Sequence, residues 1–218
     1  MTERTERGCF ISLEGGEGTG KTTQISHLHA HLESRGLDVI ATREPGGTPA
    51  AEAIRTLLVS GEVGRWTPMT EALLHYAARH DHYIHTIEPA LKRGIWVVSD
   101  RFADSTMAYQ GVAQGLGADR ISALHDTVLG DFQPDLTLIL DLPVDMGLAR
   151  ANHRNAGGNS NGEDRYERMG HDFHDRLRRA FLDIAAANPG RCRVIDADGP
   201  PEAVAQRLWS TVTRALDL

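Results

Sequence analysis

The residues best equipped for chemistry stand near the amino terminus, in Glu14-Gly15-Gly16-Glu17-Gly18-Thr19-Gly20-Lys21-Thr22-Thr23. Within it, Gly15-x-x-x-x-Gly20-Lys21-Thr22 is the spacing that turns backbone N–H groups inward on a phosphate. Such a loop needs a strand before it and a helix after it, whose N-terminal partial charge adds to the attraction. An apolar run from Cys9 to Leu13 precedes it, and a helical segment to about Arg35 follows, ended by Gly36. In this chemistry Lys21 bridges the β- and γ-phosphates of a nucleoside triphosphate, and the Thr22 hydroxyl ligates magnesium. Only Lys21 and Lys92 are lysines; every other basic residue is arginine. A chain this poor in lysine keeps one where arginine will not serve, so a glycine-rich turn that fits by accident is a poor account of Lys21.

The remaining candidates fall at strand ends or close after them. A second strand, Leu37 to Thr42, runs into the turn Arg43-Glu44-Pro45-Gly46-Gly47. Thr67-Pro68 opens a long helix through Arg79, which Pro89 kinks or restarts and Gly94 ends. Ile95 to Ser99 is apolar nearly throughout, as a strand covered on both faces should be, and it ends in Asp100-Arg101. Leu136 to Leu140 and Arg193 to Ile195 complete five strands. Strands alternating with helices predict a parallel sheet with right-handed crossovers, with ligands beyond the carboxyl ends. The expected fold is one α/β domain over residues 1–218, a three-layer P-loop architecture: a five-stranded parallel sheet, helices on both faces, and a mobile lid over about 150–166. The Gly- and Asn-rich stretch Asn155 to Gly162 reads as a mobile loop.

At 218 residues and 40 % hydrophobic, the chain suits one full domain. A net charge of −7 argues against a nucleic-acid or membrane-surface partner, which would call for a basic face. No apolar run approaches the ~20 residues of a membrane span. Met1 to Gly8 is polar and lacks the apolar stretch of a signal peptide. Cys9 and Cys192 read as strand packing residues in a reducing compartment, so a cytoplasmic protein is expected. Neither lysine follows an asparagine, as a guanine-reading Asn-Lys-x-Asp would require, and no Leu-Ser-Gly-Gly-Gln signature is present. Small-molecule kinases remain, and they need an acceptor site that excludes water. His27 and His31, and the group His80, His82 and His85, have spacings zinc tolerates, but without closing ligands they read as surface or packing residues.

Several segments then converge: Arg43-Glu44-Pro45-Gly46-Gly47-Thr48, Ala77-Ala78-Arg79, Asp100-Arg101-Phe102-x-x-Ser105-Thr106-x-Ala108-Tyr109-Gln110-Gly111, Asp135 with Leu136 to Asp141, and Asp164-Arg165-Tyr166-Glu167. With the phosphate loop they closely resemble the bacterial thymidylate kinase family over nearly the whole chain. The resemblance implies transfer from ATP, with Mg2+, to dTMP, giving dTDP for dTTP synthesis, by a homodimer packed partly through the long helices. It implies that Arg101 grips the acceptor 5′-phosphate and that Asp100 orients magnesium through water, as a Walker-B-like carboxylate. Arg79 would donate to thymine O4, with Thr106 and Gln110 at the N3 edge. Tyr109 would pack under the deoxyribose, Glu17 would accept from the 3′-hydroxyl, and Arg43, beside Pro45, would frame the acceptor phosphate. Ser105 belongs to the same substrate-binding stretch.

The sequence departs from the family pattern in three places. Glu17-Gly18-Thr19 carries no cation where some members hold a catalytic arginine, so charge at the departing phosphate must come from the lid, with Arg154 first and Arg150 second; the alternative for Arg165 is to pair with a neighbouring carboxylate. His75, four residues before Arg79, stands where a phenylalanine usually stacks on thymine, which raises the expectation of pH-dependent dTMP affinity. The lid is longer than usual by residues 156–162. Singly, each residue has a plainer reading: a surface arginine at Arg79, core at Tyr109, an ion pair at Asp100-Arg101, a helix cap at Ser105. A kinase for another acceptor, such as dUMP or a deoxynucleoside, and a regulatory module that binds nucleotide without turnover stay open on sequence.

Overall fold

The computed structural model describes residues 7–156 and 164–218. Five parallel strands, β1 (Phe10–Glu14), β2 (Val39–Arg43), β3 (Trp96–Asp100), β4 (Leu136–Asp141) and β5 (Cys192–Asp196), stand in the order β2-β3-β1-β4-β5. The apolar runs explain the order. β1 is buried at every residue and β4 at all but its last, so both need cover on two faces and lie inside the sheet. β2, buried at no position, takes an edge. The chain runs from β1 to the edge strand β2, returns to β3 beside β1, and then crosses to β4 and β5 on the other side, so the connections leaving the neighbouring strands β1 and β3 diverge and open a crevice at their carboxyl ends. Register sets Leu13 beside Asp100 and Glu14 beside Ile139, which brings the phosphate loop level with the end of β3.

Helices α1 (Lys21–Ser34), α2 (Pro49–Val59), α3 (Pro68–His82), α4 (Glu88–Lys92), α5 (Ala103–Thr106), α6 (Ala118–Leu129), α7 (Val144–Ala156), α8 (His171–Ala187) and α9 (Pro201–Leu216) complete the described elements. On one face Ile25, Leu28 and Leu32 of α1 and Val204, Leu208 and Val212 of α9 pack on Ile11, Leu13 and Leu138. On the other, Phe10 meets Phe102 edge-on at 4.9 Å, and Phe173, Leu177 and Phe181 of α8 cover Ile139. Each buried aromatic removes roughly 150–250 Å² from water, enough to fix these layers.

Thr67 caps α3 by accepting from the Thr70 N–H, as the Thr-Pro signal predicts. The helix passes Arg79, as the expected restart at Pro89 requires. It runs to His82, continues through a π-helical turn at Tyr83–Ile87, and enters α4 with Pro89 in the first turn, where a missing N–H costs nothing. A second π-helical segment, Met107–Ala113, follows α5 and reshapes the Ser105–Gln110 stretch. Of the loop expected at 155–162, Asn155 and Ala156 close α7, and the rest lies outside the described residues.

Candidate active site

The phosphate loop leaves β1 at Glu14 and enters α1 at Lys21. Gly15 has φ 133°, and a Cβ there would meet the Leu140 carbonyl at 2.4 Å. Only glycine fits that turn. Lys21 Nζ donates to the carbonyls of Gly15 (3.1 Å) and Gly16 (2.9 Å), and Thr19 Oγ1 donates to Gly16 O at 3.0 Å. Burial and the Arg101 charge push the Lys21 ammonium down to about 8, against Glu17, Asp100 and Glu14. Thr22 Oγ1 donates to Asp100 Oδ2 at 3.1 Å. A hydroxyl beside a carboxylate, both oxygen donors, suits a hard divalent cation. Thr22, Thr23 and Lys21 line an open cleft of about 920 Å³ with Gly18, Gly20, Asp100 and Arg154.

Arg101 follows β3 in the left-handed region, at φ 71°, which costs a non-glycine residue about 1–3 kcal/mol. The surroundings enforce it. Its N–H donates to Leu13 O at 2.9 Å, its Nη1 to Gly15 O (2.9 Å) and Ser105 Oγ (3.1 Å), and its Nη2 to Glu17 Oε1 (3.1 Å). The Tyr109 hydroxyl donates to the same Glu17 oxygen at 2.5 Å. Burial alone would raise the Glu17 carboxyl, but Arg101, Lys21 and the Tyr109 hydroxyl outweigh it and hold it down to about 2. Behind them Glu14, wholly buried, accepts from Phe102 N (2.7 Å) and Ser105 Oγ (2.6 Å). Burial and Asp104 push that carboxyl up to about 8.

A second cavity of about 110 Å³ adjoins the cleft, lined by Glu17, Glu44, Pro45, Arg55, Val59, His75, Arg101, Ser105, Tyr109, Gln110, Tyr166 and Glu167. Glu17, Glu44, Arg55, Arg101 and Glu167 border both spaces. A phosphate held at Arg101 would therefore sit between them.

The thymidylate kinase family model matches residues 13–208. The chain belongs to the thymidylate kinase family. It is 53 % identical to "Thymidylate kinase" of Caulobacter vibrioides, covering 97 % of this chain and 99 % of that one. It is 49 % identical to "Thymidylate kinase" of Afipia carboxidovorans, covering 98 % and 92 % respectively. The crystal structure of thymidylate kinase from Ehrlichia chaffeensis superposes with a TM-score of 0.75 at 34 % identity, covering 94 % of this chain and 99 % of that chain.

In this thymidylate kinase fold, seven of the residues expected at the acceptor, Glu17, Pro45, His75, Arg101, Ser105, Tyr109 and Gln110, line one cavity. Arg79 and Thr106 lie behind its wall. Arg79, 2 % exposed, donates from Nε to Glu44 Oε2 (2.7 Å) and from Nη2 to Phe102 O and Thr106 Oγ1 (both 3.0 Å), while its Nη1 is buried without a partner. Arg43 faces the cleft rather than the cavity and pairs with Glu52 through Nη2 at 2.9 Å. Of the two lid arginines, Arg154 borders the cleft and pairs with Glu167. Arg150 instead donates to Ala197 O at 3.2 Å and faces Asp198. Arg165 pairs with Glu71 at 2.6 Å and is fully buried.

The surroundings of His75 bear on its expected pH dependence. Burial, then the charges of Arg79, Arg165, Arg101 and Arg55, hold its pKa well below the ordinary imidazole value, so it is neutral across the physiological range. That lowered pKa argues against the pH-dependent affinity anticipated from its sequence position. Five cavity residues, Glu44, Arg55, Val59, Tyr166 and Glu167, have no role assigned from sequence. Arg55, on α2, donates to Pro45 O at 2.9 Å and faces both spaces, while the Tyr166 hydroxyl lies 3.2 Å from His75 Nε2. The signal for α2 was present in Thr48-Pro49, which repeats the Thr67-Pro68 pattern; Thr48 does cap it, accepting from the Ala51 N–H. Among the other histidines, His82 is buried against Glu44 and Thr42, and His31 bonds the His27 carbonyl.

Proposed function

We propose that this chain transfers the γ-phosphate of ATP to the 5′-phosphate of dTMP, releasing ADP and dTDP in the supply of dTTP. What carries this reading is that Arg101 and Glu17 border both the phosphate-loop cleft and the smaller cavity, so donor and acceptor phosphates would meet at one guanidinium. An acceptor phosphate oxygen attacks the γ-phosphorus, the bond to the β,γ-bridging oxygen breaks, and that oxygen leaves with ADP. Positioning and charge then supply most of the rate. Lys21 and the loop N–H groups from Gly15 to Thr23 hold the triphosphate. Thr22, with Asp100 through water, would hold Mg2+, which would supply positive charge against the phosphates when bound. Arg154, at the cleft, is the first choice for the cation at the departing phosphate. Arg150, turned towards Asp198, is the second.

At the acceptor, Arg101 grips the phosphate and Ser105 steadies it, with Arg43 and Arg55 adding positive charge nearby. Tyr109 packs under the deoxyribose, Glu17 accepts from the 3′-hydroxyl, and neutral His75 stacks on the base beside Pro45. The buried Arg79 Nη1, a donor without a partner, matches thymine O4, and Thr106 fixes that guanidinium from behind. The enzyme works as a single domain with a lid over 150–166. The two free thiols, Cys9 and Cys192, suit a reducing cytoplasm. A homodimer is supported by an outward stripe on α3, where Leu73, Ala77 and His80 are exposed and Ile84 continues the spacing.

ADP release from ATP and magnesium is the test, with dTMP, dUMP, dCMP, dGMP and thymidine offered in parallel. Turnover strongest with dTMP, weaker with dUMP and absent with thymidine is expected. Turnover favouring thymidine would overturn the phosphate role of Arg101, and none with any acceptor would leave a nucleotide-binding module.

A further inference from the structure

Behind the cavity wall, Glu71 of α3 is 1 % exposed and accepts four hydrogen bonds. Its Oε1 accepts from Arg165 Nη1 at 2.6 Å. Its Oε2 accepts from Gln110 Nε2 (3.0 Å), Gln114 Nε2 (2.8 Å) and the Tyr166 hydroxyl (3.1 Å). A carboxylate paired with a guanidinium offers only acceptors. Gln110 must therefore present its NH2 to Glu71, which settles its amide on chemical grounds. The other end of that amide, Oε1, is buried without a protein partner, on a residue that lines the cavity. A buried acceptor left unpaired is costly, so a donor from the ligand is the expected complement.

We propose that Glu71 is a positioning residue: it fixes the Gln110 amide so that the cavity offers an acceptor, and so selects a base carrying N–H at N3. Thymine and uracil carry that donor. Cytosine offers a lone pair at N3 instead and would set acceptor against acceptor, a mismatch that hydrogen-bonding sites reject strongly. Tyr166 and Gln114, bonded to the same carboxylate oxygen, hold Glu71 in place, and Arg165 pairs with the other oxygen. This inference rests on the dTMP reading of the cavity and assigns the group that sets its base selectivity.

The test is kcat and KM for dTMP, dUMP and dCMP on the wild type and Glu71→Gln. The substituted side chain can keep an oxygen for Arg165 while turning an NH2 towards Gln110, whose amide then reverses. The dTMP KM should rise about tenfold with kcat within about threefold, and the dTMP-to-dCMP ratio of kcat/KM should fall by about tenfold or more. A folded variant that keeps the wild-type ratio, even with activity lowered on all three substrates, overturns the inference, because a merely structural residue would leave selectivity unmoved. A wild type that does not use dTMP overturns the cavity reading itself, a separate result. If Glu71→Gln is unfolded by circular dichroism, Gln110→Leu carries the test with dTMP and its N3-methyl analogue. The wild type should prefer dTMP, Gln110→Leu should lose that preference, and an unchanged preference overturns the inference.

Discussion

Lys21 is the residue whose environment most directly predicts a measurable pH dependence. Its ammonium is needed as a cation at the triphosphate, yet burial and Arg101 lower its pKa to about 8. Because the depressed value belongs to the free enzyme, kcat/KM for ATP should fall above about pH 8, approaching tenfold per pH unit, while the limb in kcat moves to higher pH once phosphate charge is bound. Glu14, also raised to about 8, titrates in the same region, so Glu14→Gln is the control: the limb should survive it. His75 gives the opposite expectation. The acceptor phosphate itself titrates near pH ~6, so the informative quantity is the ratio of dTMP KM between the wild type and His75→Phe, which should be constant from pH 5.5 to 8. A tenfold drift in that ratio would mean that His75 does titrate. The sign for stability runs the other way: the unfolded imidazole gains a proton below its ordinary value of 6.5 and the folded one does not, so His75 costs stability as pH falls through that value. Lys21, Thr22, Asp100 and Arg101 were legible in sequence because each sits in a contiguous motif at a strand end. Glu71 and Arg55 were not, since Glu71 acts through partners tens of residues away and Arg55 reaches back to the Pro45 carbonyl from an adjoining helix, and nothing in their local patterns separates them from ordinary helix residues.

Among the elements, the five strands were readable because a doubly covered strand has to be an apolar run, and their ends varied by only a residue or two. The two π-helical segments were not readable, since a wider turn leaves no mark in apolar periodicity. The close approach of α7 to the phosphate loop was hidden as well, although Gly147 and Gly18 make it. A Cβ on Gly18 would lie 1.9 Å from Gly147 O, and one on Gly147 would lie 2.5 Å from Glu17 O. The helix that leads into the lid is therefore seated directly on the loop that holds the donor phosphates. In an ordinary helix Gly→Ala gains about 1 kcal/mol, but here the overlap is with backbone, which cannot swing aside, and overpacking costs about 1–3 kcal/mol. Gly147→Ala should lower the melting temperature and reduce kcat/KM for ATP by roughly tenfold or more, because a displacement near 1 Å at a phosphate site is felt at that scale. A variant with a raised melting temperature and unchanged ATP kinetics would show that α7 does not brace the loop.

For the whole molecule, the two faces of α3 serve different ends. His75 lines the site and Arg79 lies behind its wall, while Leu73, Ala77 and His80 lie outward at spacings of four and three, and Ile84 extends the row. Leu73 is 50 % exposed, Ile84 42 %, and Leu57 on the adjacent α2 40 %. A single exposed leucine calls for no explanation, but an apolar stripe along a long helix does. Each chain carries a net charge of −7, so association between copies has to work against long-range repulsion and must rest on apolar contact. A stable pair needs about 800 Å² from each partner, which one helix face with its neighbour can supply. If the stripe is that contact, pairing also stiffens the helix that positions His75, Arg79 and Glu71, and losing it should weaken dTMP before ATP. Sedimentation velocity should find wild-type protein at the mass of two 23.9 kDa chains, with little sensitivity to added salt. Leu73→Glu should sediment as a monomer and show a dTMP KM raised several-fold more than its ATP KM, since it leaves the phosphate loop untouched. A wild type that is monomeric at assay concentrations, or a Leu73→Glu variant that still sediments as a dimer, would remove α3 as the dimer contact. A monomeric variant with both KM values unchanged would instead separate pairing from the acceptor site.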